Sequence, residues 1–382
     1  MKKIIKKIVY FLSLSITKFF LLFLFLILLF SLVILITEKN NSDINNFFDS
    51  LWFIIVSLTT TGYGDIIPST NNGKLITLIA ILAGIILTAI ITGELASIII
   101  EIREKRGKGL MNFSKKKNHI IICGWKNDFA NFLKELINKN ENLNISDIVL
   151  INNEQLENIQ SILADPFLSS INYVHGEYFD EGVLIRGGII NAKKVLILAD
   201  DTGRYSQSEI DSKNVMAVLT IEKINKNIYI CAEIFDPKFK KYLQQSHCDE
   251  IILSKDFSKN IIINSISESG FSNIIQEFIN PNKDTRLKTE IIDEKFIGKI
   301  FLELFNYYLE KNIILIGILE NIGNFYIRKT EAINEAQKTP DISKLVENLK
   351  LIKKLKANEP ILNPPKDYII KTKSSAIVLK RV

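Results

Sequence analysis

The run Thr59-Thr60-Thr61-Gly62-Tyr63-Gly64-Asp65 has the residue types for one kind of chemistry, the replacement of a cation's hydration shell by oxygens of the chain. Main-chain carbonyls plus one threonine hydroxyl can supply such oxygens in stacked rings when several copies of the loop surround an axis. Glycines at alternate positions permit the backbone conformations in which consecutive carbonyls face that axis, conformations that side chains resist. Tyr63 is expected to point away from the axis and, with Trp52 and Phe53, to brace the ring, with Asp65 supporting it. The apolar, aromatic stretch 47–58 just before reads as a short helix, with Asp49 or Ser50 able to cap it. It is too short to cross a bilayer and fits a re-entrant helix whose C-terminal carbonyls, through the helix dipole, favour a cation.

Such a loop needs flanking elements that hold it at membrane depth. Residues 19–37 contain no charge, and 16–36 is long enough to cross a hydrocarbon core of ~30 Å. A secretory signal is the competing reading, but the run is too long and no small-residue cleavage site follows. A second apolar stretch, 75–93, continues toward Ile100 and is interrupted only by Glu94, which lies near the end of the span. Two spans put both chain ends on one side. Lys2, Lys3, Lys6 and Lys7 before the first span, with Arg103, Lys105, Arg106 and Lys108 after the second, place that side in the cytoplasm, and the loop between is poor in Lys and Arg. Residues 2–14 have the composition of a helix lying in the membrane interface. Gly84, inside the second span, serves either as a bending point or as a site of close helix packing.

The rest of the 382-residue chain is much less apolar. Its net charge of +6 comes without a stripe of base-stacking aromatics, and the N-terminal lysines flank a membrane-length segment, which argues against nucleic acid. Cys123, Cys231 and Cys248 are too few and too scattered for a disulfide framework or a zinc site. After a basic stretch, short apolar strands alternate with amphipathic helices: strands at 120–123, 148–151, 172–174, 195–199 and 228–234, helices at 127–136, 155–163 and 212–224. That alternation implies a doubly wound parallel sheet. Residues 249–253 add a last strand, and 258–278 is largely helical up to a break at Asn280-Pro281. The first strand-to-helix turn is Cys123-Gly124-Trp125-Lys126-Asn127-Asp128-Phe129. A dinucleotide site prefers Gly-x-Gly-x-x-Gly there, but only Gly124 remains, Lys126 and Phe129 hold the other positions, and Asn152 and Asn153 replace the expected acid. NAD binding and hydride transfer are therefore disfavoured, and His119, His175 and His247 show no catalytic pairing, so the chain does not read as an enzyme.

Thr60-Thr61-Gly62-Tyr63-Gly64-Asp65 resembles the filter of the potassium channel family, with Thr61 in the position of a valine that contributes only main-chain oxygen. Residues 118–129, His175-Gly176-Glu177 and Ile230-Cys231-Ala232-Glu233 resemble RCK domains, regulators of K⁺ conductance, particularly those of calcium-gated two-helix channels whose turn also begins Cys-Gly-Trp. The resemblance implies a homotetramer in membrane lipid, K⁺ held at Thr60, Thr61, Gly62 and Tyr63, and a gating hinge at Gly84. It also implies a cytoplasmic ring of eight RCK domains, for which soluble copies starting at Met111 would supply the second four. The family's Ca²⁺ ligands, an Asp ending the fourth strand and two Glu on the fifth, match Asp200 and Glu233, while Phe235 takes the third place and Asp201 and Asp236 lie nearby. Asp200 and Asp201 can equally cap the loop before the next helix. The run Asp200-Asp201-Thr202-Gly203-Arg204-Tyr205 also enlarges this loop, for a nucleotide or for another ring contact, and Gly124 is a further candidate ligand-binding residue. The expected organisation is a pore domain at 1–108 (spans 16–37 and 75–101, pore helix and filter 47–65), a linker at 109–117, a Rossmann-like domain at 118–280 and a small α+β subdomain at 281–382. A nonselective cation pore and a regulatory subunit of a K⁺ transporter are the alternatives, although such subunits lack residues 1–100.

Overall fold

The computed structural model describes residues 15–39, 43–140, 143–279, 285–338, 346, 348–350, 352 and 356–381. The lysines at 2–7, the interfacial stretch 2–14 and the break at Asn280-Pro281 lie outside them. The chain forms two compact units that divide between Glu104 and Lys105.

In the first unit, helix α1 (Ser15–Thr37) and helix α3 (Asn71–Gly107) are both long and apolar enough to cross a membrane. Phe20, Phe25, Leu28, Leu32, Leu78, Leu82 and Ile86 are exposed in the single chain, as side chains facing lipid or another subunit must be. Helix α2 (Phe47–Leu58) lies between them. Its cap is Asn46 rather than Asp49 or Ser50: the Asn46 side chain accepts from Asp49 N at 3.0 Å, and the Asp49 carboxylate accepts in return from Asn46 N at 3.2 Å. The alternation of Asn46 and Asp49 around an aromatic run hid this reciprocal box. Ile27, Ile34, Ile44, Phe53, Ile54, Leu58 and Ala80 form the core of the unit. At 37 residues α3 exceeds the expected span at both ends and runs unbroken through Gly84.

The second unit opens with a six-stranded parallel sheet: β1 (Ile120–Cys123), β2 (Ile148–Asn152), β3 (Asn172–His175), β4 (Lys194–Ile197), β5 (Tyr229–Ile234) and β6 (Glu250–Leu253), in the order β3-β2-β1-β4-β5-β6. That order is the doubly wound one, with the switch in direction between β1 and β4. Alternate residues on a strand enter different cores, Ile121 and Val149 one, Ile122 and Leu150 the other, because helices cover both faces. Helices α4 (Phe129–Lys139), α5 (Leu156–Ala164), α6 (Glu181–Arg186), α7 (Gln207–Ile224) and α8 (Lys240–Gln245) make the crossovers. The largely helical stretch after β6 is two helices, α9 (Ser254–Ser267) and α10 (Phe271–Ile279), parted at Gly270 with φ +83°. The linker read at 109–117 is docked on the sheet edge: Leu110 bridges Val174, Gly109 O accepts from His175 N at 3.0 Å, and Phe113 N donates to Arg186 O at 2.7 Å.

A second, antiparallel sheet follows, built from β7 (Thr285–Ile291), β8 (Ile314–Glu320), β9 (Glu359–Leu362) and β10 (Ser375–Arg381) in the order β7-β10-β8-β9, with α11 (Phe301–Glu310) and α12 (Phe325–Ala336). Asp249 ties the parallel sheet to the start of α12. Its buried carboxylate accepts from Ile230 N at 2.7 Å, from Phe325 N at 2.5 Å and from Asn324 Nδ2 at 3.3 Å, while Asn324 also donates to Ile228 O at 2.8 Å. Burial raises the Asp249 carboxyl from 3.8 to about 6, against the pull of those donors. The folded state therefore holds a proton that the unfolded chain releases between pH ~4 and ~6, so the contribution of Asp249 to stability falls as pH rises through that window, by about 3 kcal/mol, and is flat above ~7. Thermal unfolding of the Asp249→Asn variant followed from pH 4 to 8 is expected to lose this slope; an unchanged slope would assign it to another group.

Candidate functional site

The end of α2 fixes the loop that follows. Thr61 N and Gly62 N both donate to Val56 O, at 3.0 and 3.3 Å, and Thr60 N donates to Ser57 O at 3.1 Å. Beyond this anchor φ is positive at Thr60 (56°), Gly62 (61°) and Gly64 (72°), and not at Thr61 or Tyr63. Such an alternation of hand is the backbone pattern that an oxygen-lined path requires of its loop. The glycines were legible as its carriers; Thr60 was not. A β-branched residue at positive φ costs about 1–3 kcal/mol and is held only where the surroundings impose it. The Thr59 and Thr61 hydroxyls lie 3.0 Å apart.

Trp52 ties the loop to α2. Its Nε1 donates to Asp65 Oδ2 at 2.9 Å and its ring stacks on Tyr63 at 6.0 Å with an interplanar angle of 6°. Phe53, expected beside them, is buried in the core of the unit instead, because the next helix position faces the other way. Gly84 marks close packing: a Cβ there would stand 2.3 Å from Leu58 Cδ2, at the last residue of α2. A residue that sequence reasoning missed is Glu38, just after α1. Fully buried, its carboxylate accepts from Ser69 N (3.0 Å), Ser69 Oγ (3.1 Å), Thr70 N (3.1 Å) and Thr70 Oγ1 (2.5 Å), immediately before α3. Gly73 passes so near that a Cβ would fall 1.9 Å from Glu38 Oε1. The only signal for it was an acid at the end of an apolar run facing a Ser-Thr pair ahead of the next helix.

At the crevice of the parallel sheet, Gly124 has φ +92° and a Cβ would lie 2.8 Å from Leu198 O, so the turn admits no side chain. The crevice itself is filled. Arg204 reaches across to the buried Glu154 and, at 3.2 Å, to Asp200 Oδ2, while Asp200 Oδ1 accepts from Thr202 N at 2.8 Å and Thr202 Oγ1 at 2.5 Å. A cavity of about 20 Å³ remains, room for roughly one water. A nucleotide would require Arg204 and its loop to move. Glu233 belongs to a different network: Oε1 pairs with Lys126 Nζ at 2.9 Å and Oε2 accepts from Ala199 N at 3.0 Å. Asp201 accepts from Asn127 N at 2.6 Å and lies 3.8 Å from Lys126. Asp236 caps Lys238 N, and Phe235 contributes its backbone N–H to Asp211. Asp200 and Glu233, matched to one Ca²⁺ site by resemblance, are thus each committed to a separate cation of the chain. Among the described residues no His, Cys, Asp or Glu cluster is arranged to hold a metal ion. His119 is buried against Gly187 O at 3.0 Å, and burial pushes its imidazole below the ordinary range. Burial likewise pushes the Cys123 and Cys248 thiols up, and that of Cys231 to about 12, leaving them protonated and inert.

Comparison with known proteins bears on both units. A family model described as "Ion channel" matches residues 21–101, and one described as the calcium-activated potassium channel slowpoke-like RCK domain matches residues 115–232. The chain is 28% identical over 282 residues to the "Calcium-gated potassium channel TvoK" of Thermoplasma volcanium, covering 72% of this chain and 76% of that one. It is 26% identical over 287 residues to "Potassium channel protein 1" of Methanocaldococcus jannaschii, covering 73% and 78% respectively. A putative potassium channel protein of Bacillus subtilis, YugO, is 24% identical over 298 residues, covering 78% of this chain and 86% of its own length.

Proposed function

We propose, from the premise that this chain belongs to the potassium channels built from a two-helix pore and an RCK domain, that it conducts K⁺ through rings of carbonyl oxygens at Thr60, Thr61, Gly62 and Tyr63. The observation that carries this reading is the alternating φ from Thr60 to Gly64 directly after a short helix lying between two membrane-length helices. Trp52, Tyr63 and Asp65 brace the loop so that its oxygens keep the spacing of a dehydrated K⁺ ion rather than collapsing on a smaller one.

Every residue from Thr59 to Asp65 is exposed in the single chain, as a path completed only by further copies would be, and a homotetramer is the assembly we infer. Phe257, Ile262, Ile263, Ile266 and Ile274 on α9 and α10 are exposed as well, an apolar face that suits a second RCK copy. Soluble copies beginning at Met111 would keep the whole parallel sheet and forgo the Leu110–Val174 bridge. The basic residues at the end of α3 support a cytoplasmic RCK domain, and movement of the ring in this reading bears on the inner ends of the pore helices. Gly84 acts in this reading as the contact between α3 and the pore helix, through Leu58.

Proteoliposomes loaded with K⁺ test the function. Rubidium tracer uptake driven by the K⁺ gradient is expected, with no comparable uptake of sodium tracer; equal uptake of both would identify a nonselective pore.

A further inference from the structure

We propose that Lys126 is a tethered cation that permanently satisfies the Glu233 and Asp201 carboxylates and thereby makes this corner of the RCK domain unresponsive to Ca²⁺, an inference that rests on the channel reading above. The three residues come from different elements: Lys126 from the turn after β1, Asp201 from the loop after β4, and Glu233 from β5. Lys126 Nζ sits 2.9 Å from Glu233 Oε1 and 3.8 Å from Asp201 Oδ2. The other oxygen of each carboxylate is also taken, Glu233 Oε2 by Ala199 N at 3.0 Å and Asp201 Oδ1 by Asn127 N at 2.6 Å. Ca²⁺ requires six to eight oxygens at about 2.3–2.6 Å. Here a divalent ion would meet a Glu233 carboxylate hydrogen-bonded at both oxygens, an Asp201 carboxylate bonded at one oxygen and ion-paired at the other, and an ammonium that must be expelled first.

The surroundings strengthen the exclusion. The Glu233 side chain is only 7% exposed, so moving the ammonium off it would leave a buried carboxylate to be paid for by the incoming ion alone. The cleft leading to the pair, about 580 Å³, is lined by Lys255 and Lys259 as well as Lys126, and Lys255 lies over the Phe235 ring at 5.1 Å. A cationic approach of this kind lowers the local concentration of divalent cations. Asp200, the remaining matched acid, is held by Arg204 together with Glu154. The joint between the first turn and the ends of β4 and β5 is therefore closed by the chain's own charge. Regulation of the ring by Ca²⁺ at these residues is absent, and Lys126 is the residue that sets the specificity.

The test uses the full-length channel in planar bilayers, with cytoplasmic CaCl₂ raised to about 5 mM, above the ~1 mM range of the weakest protein Ca²⁺ sites. Wild-type open probability is expected to stay constant. Lys126→Met is expected to respond to Ca²⁺ by roughly fivefold or more, in the ordinary range of ligand coupling, and to lose the response when Glu233→Gln is added. In detergent, Lys126→Met should melt below wild type and regain part of the loss in CaCl₂, whereas Lys126→Arg should melt and gate like wild type. A wild-type Ca²⁺ response that Glu233→Gln removes would overturn the proposal, and so would a Lys126→Met channel with neither a Ca²⁺ response nor a lowered melting temperature. Should Lys126→Met not fold, the wild-type and Glu233→Gln pair decides by the first of these criteria. Potassium current in Ca²⁺-free solution reports separately on the channel reading.

Discussion

Gly62→Ala is expected to abolish K⁺-selective current while leaving the tetramer assembled. Gly62 has φ +61°, and no atom lies within 4 Å of the position a Cβ would take, so nothing in the chain is displaced by the methyl group. The cost is in the backbone, about 1 kcal/mol or more for an alanine held in the left-handed region. The chain can relieve it only by moving φ to negative values, which rotates the peptide plane and withdraws a carbonyl from the ring. In the proposed tetramer the same change is made in every subunit, so the proposed oxygen cage is lost in each. Single-channel recording combined with size-exclusion chromatography separates the two effects: normal assembly without K⁺ current is expected. Wild-type selectivity in this variant would remove the filter assignment.

The second large effect is expected at Glu38. Replacing it with alanine leaves the Ser69 and Thr70 backbone N–H groups and both hydroxyls without their buried acceptor. A charge-assisted network of this kind is worth about 3 kcal/mol per subunit, since several hydrogen bonds to one buried carboxylate are lost together. The loss falls on the joint between the end of α1 and the start of α3. Dissociation of the detergent-solubilised tetramer is expected at a clearly lower temperature in Glu38→Ala, and Gly73→Ala should act in the same direction because its Cβ would occupy the place of Glu38 Oε1. Unchanged midpoints in both variants would show that the network is dispensable.

How far these features could be seen in the chain itself depends on the range of the interaction. The filter, the two spans and the alternation of strands and helices are local patterns, and the periodicities that build them operate within one element. Trp52 was visible as a brace because aromatic residues in a pore helix next to a Gly-Tyr-Gly turn have few other uses. Thr60 was invisible as a left-handed residue, since propensity argues against a β-branched side chain there, and only the hydrogen bonds of Ser57 and Val56 enforce it. The deeper omissions are long-range charge pairs. Glu38 meets Ser69 and Thr70 across a loop, and Lys126, in the turn after β1, meets Glu233 on β5 far along the chain. Matching Asp200 and Glu233 to a family pattern preserved their residue types but could not show which cation each one holds. In the sequence Lys126 reads only as the wrong residue for a dinucleotide turn; in the fold it is the counter-ion of that corner.

Selective conduction of K⁺ is the claim on which the rest depends, and the reversal potential under bi-ionic conditions tests it most directly. With K⁺ on one face of the bilayer and Na⁺ on the other, current through the reconstituted channel should reverse far from zero, on the side set by the K⁺ gradient, and should follow that gradient as it is varied. A reversal potential near zero that ignores the K⁺ gradient would contradict it.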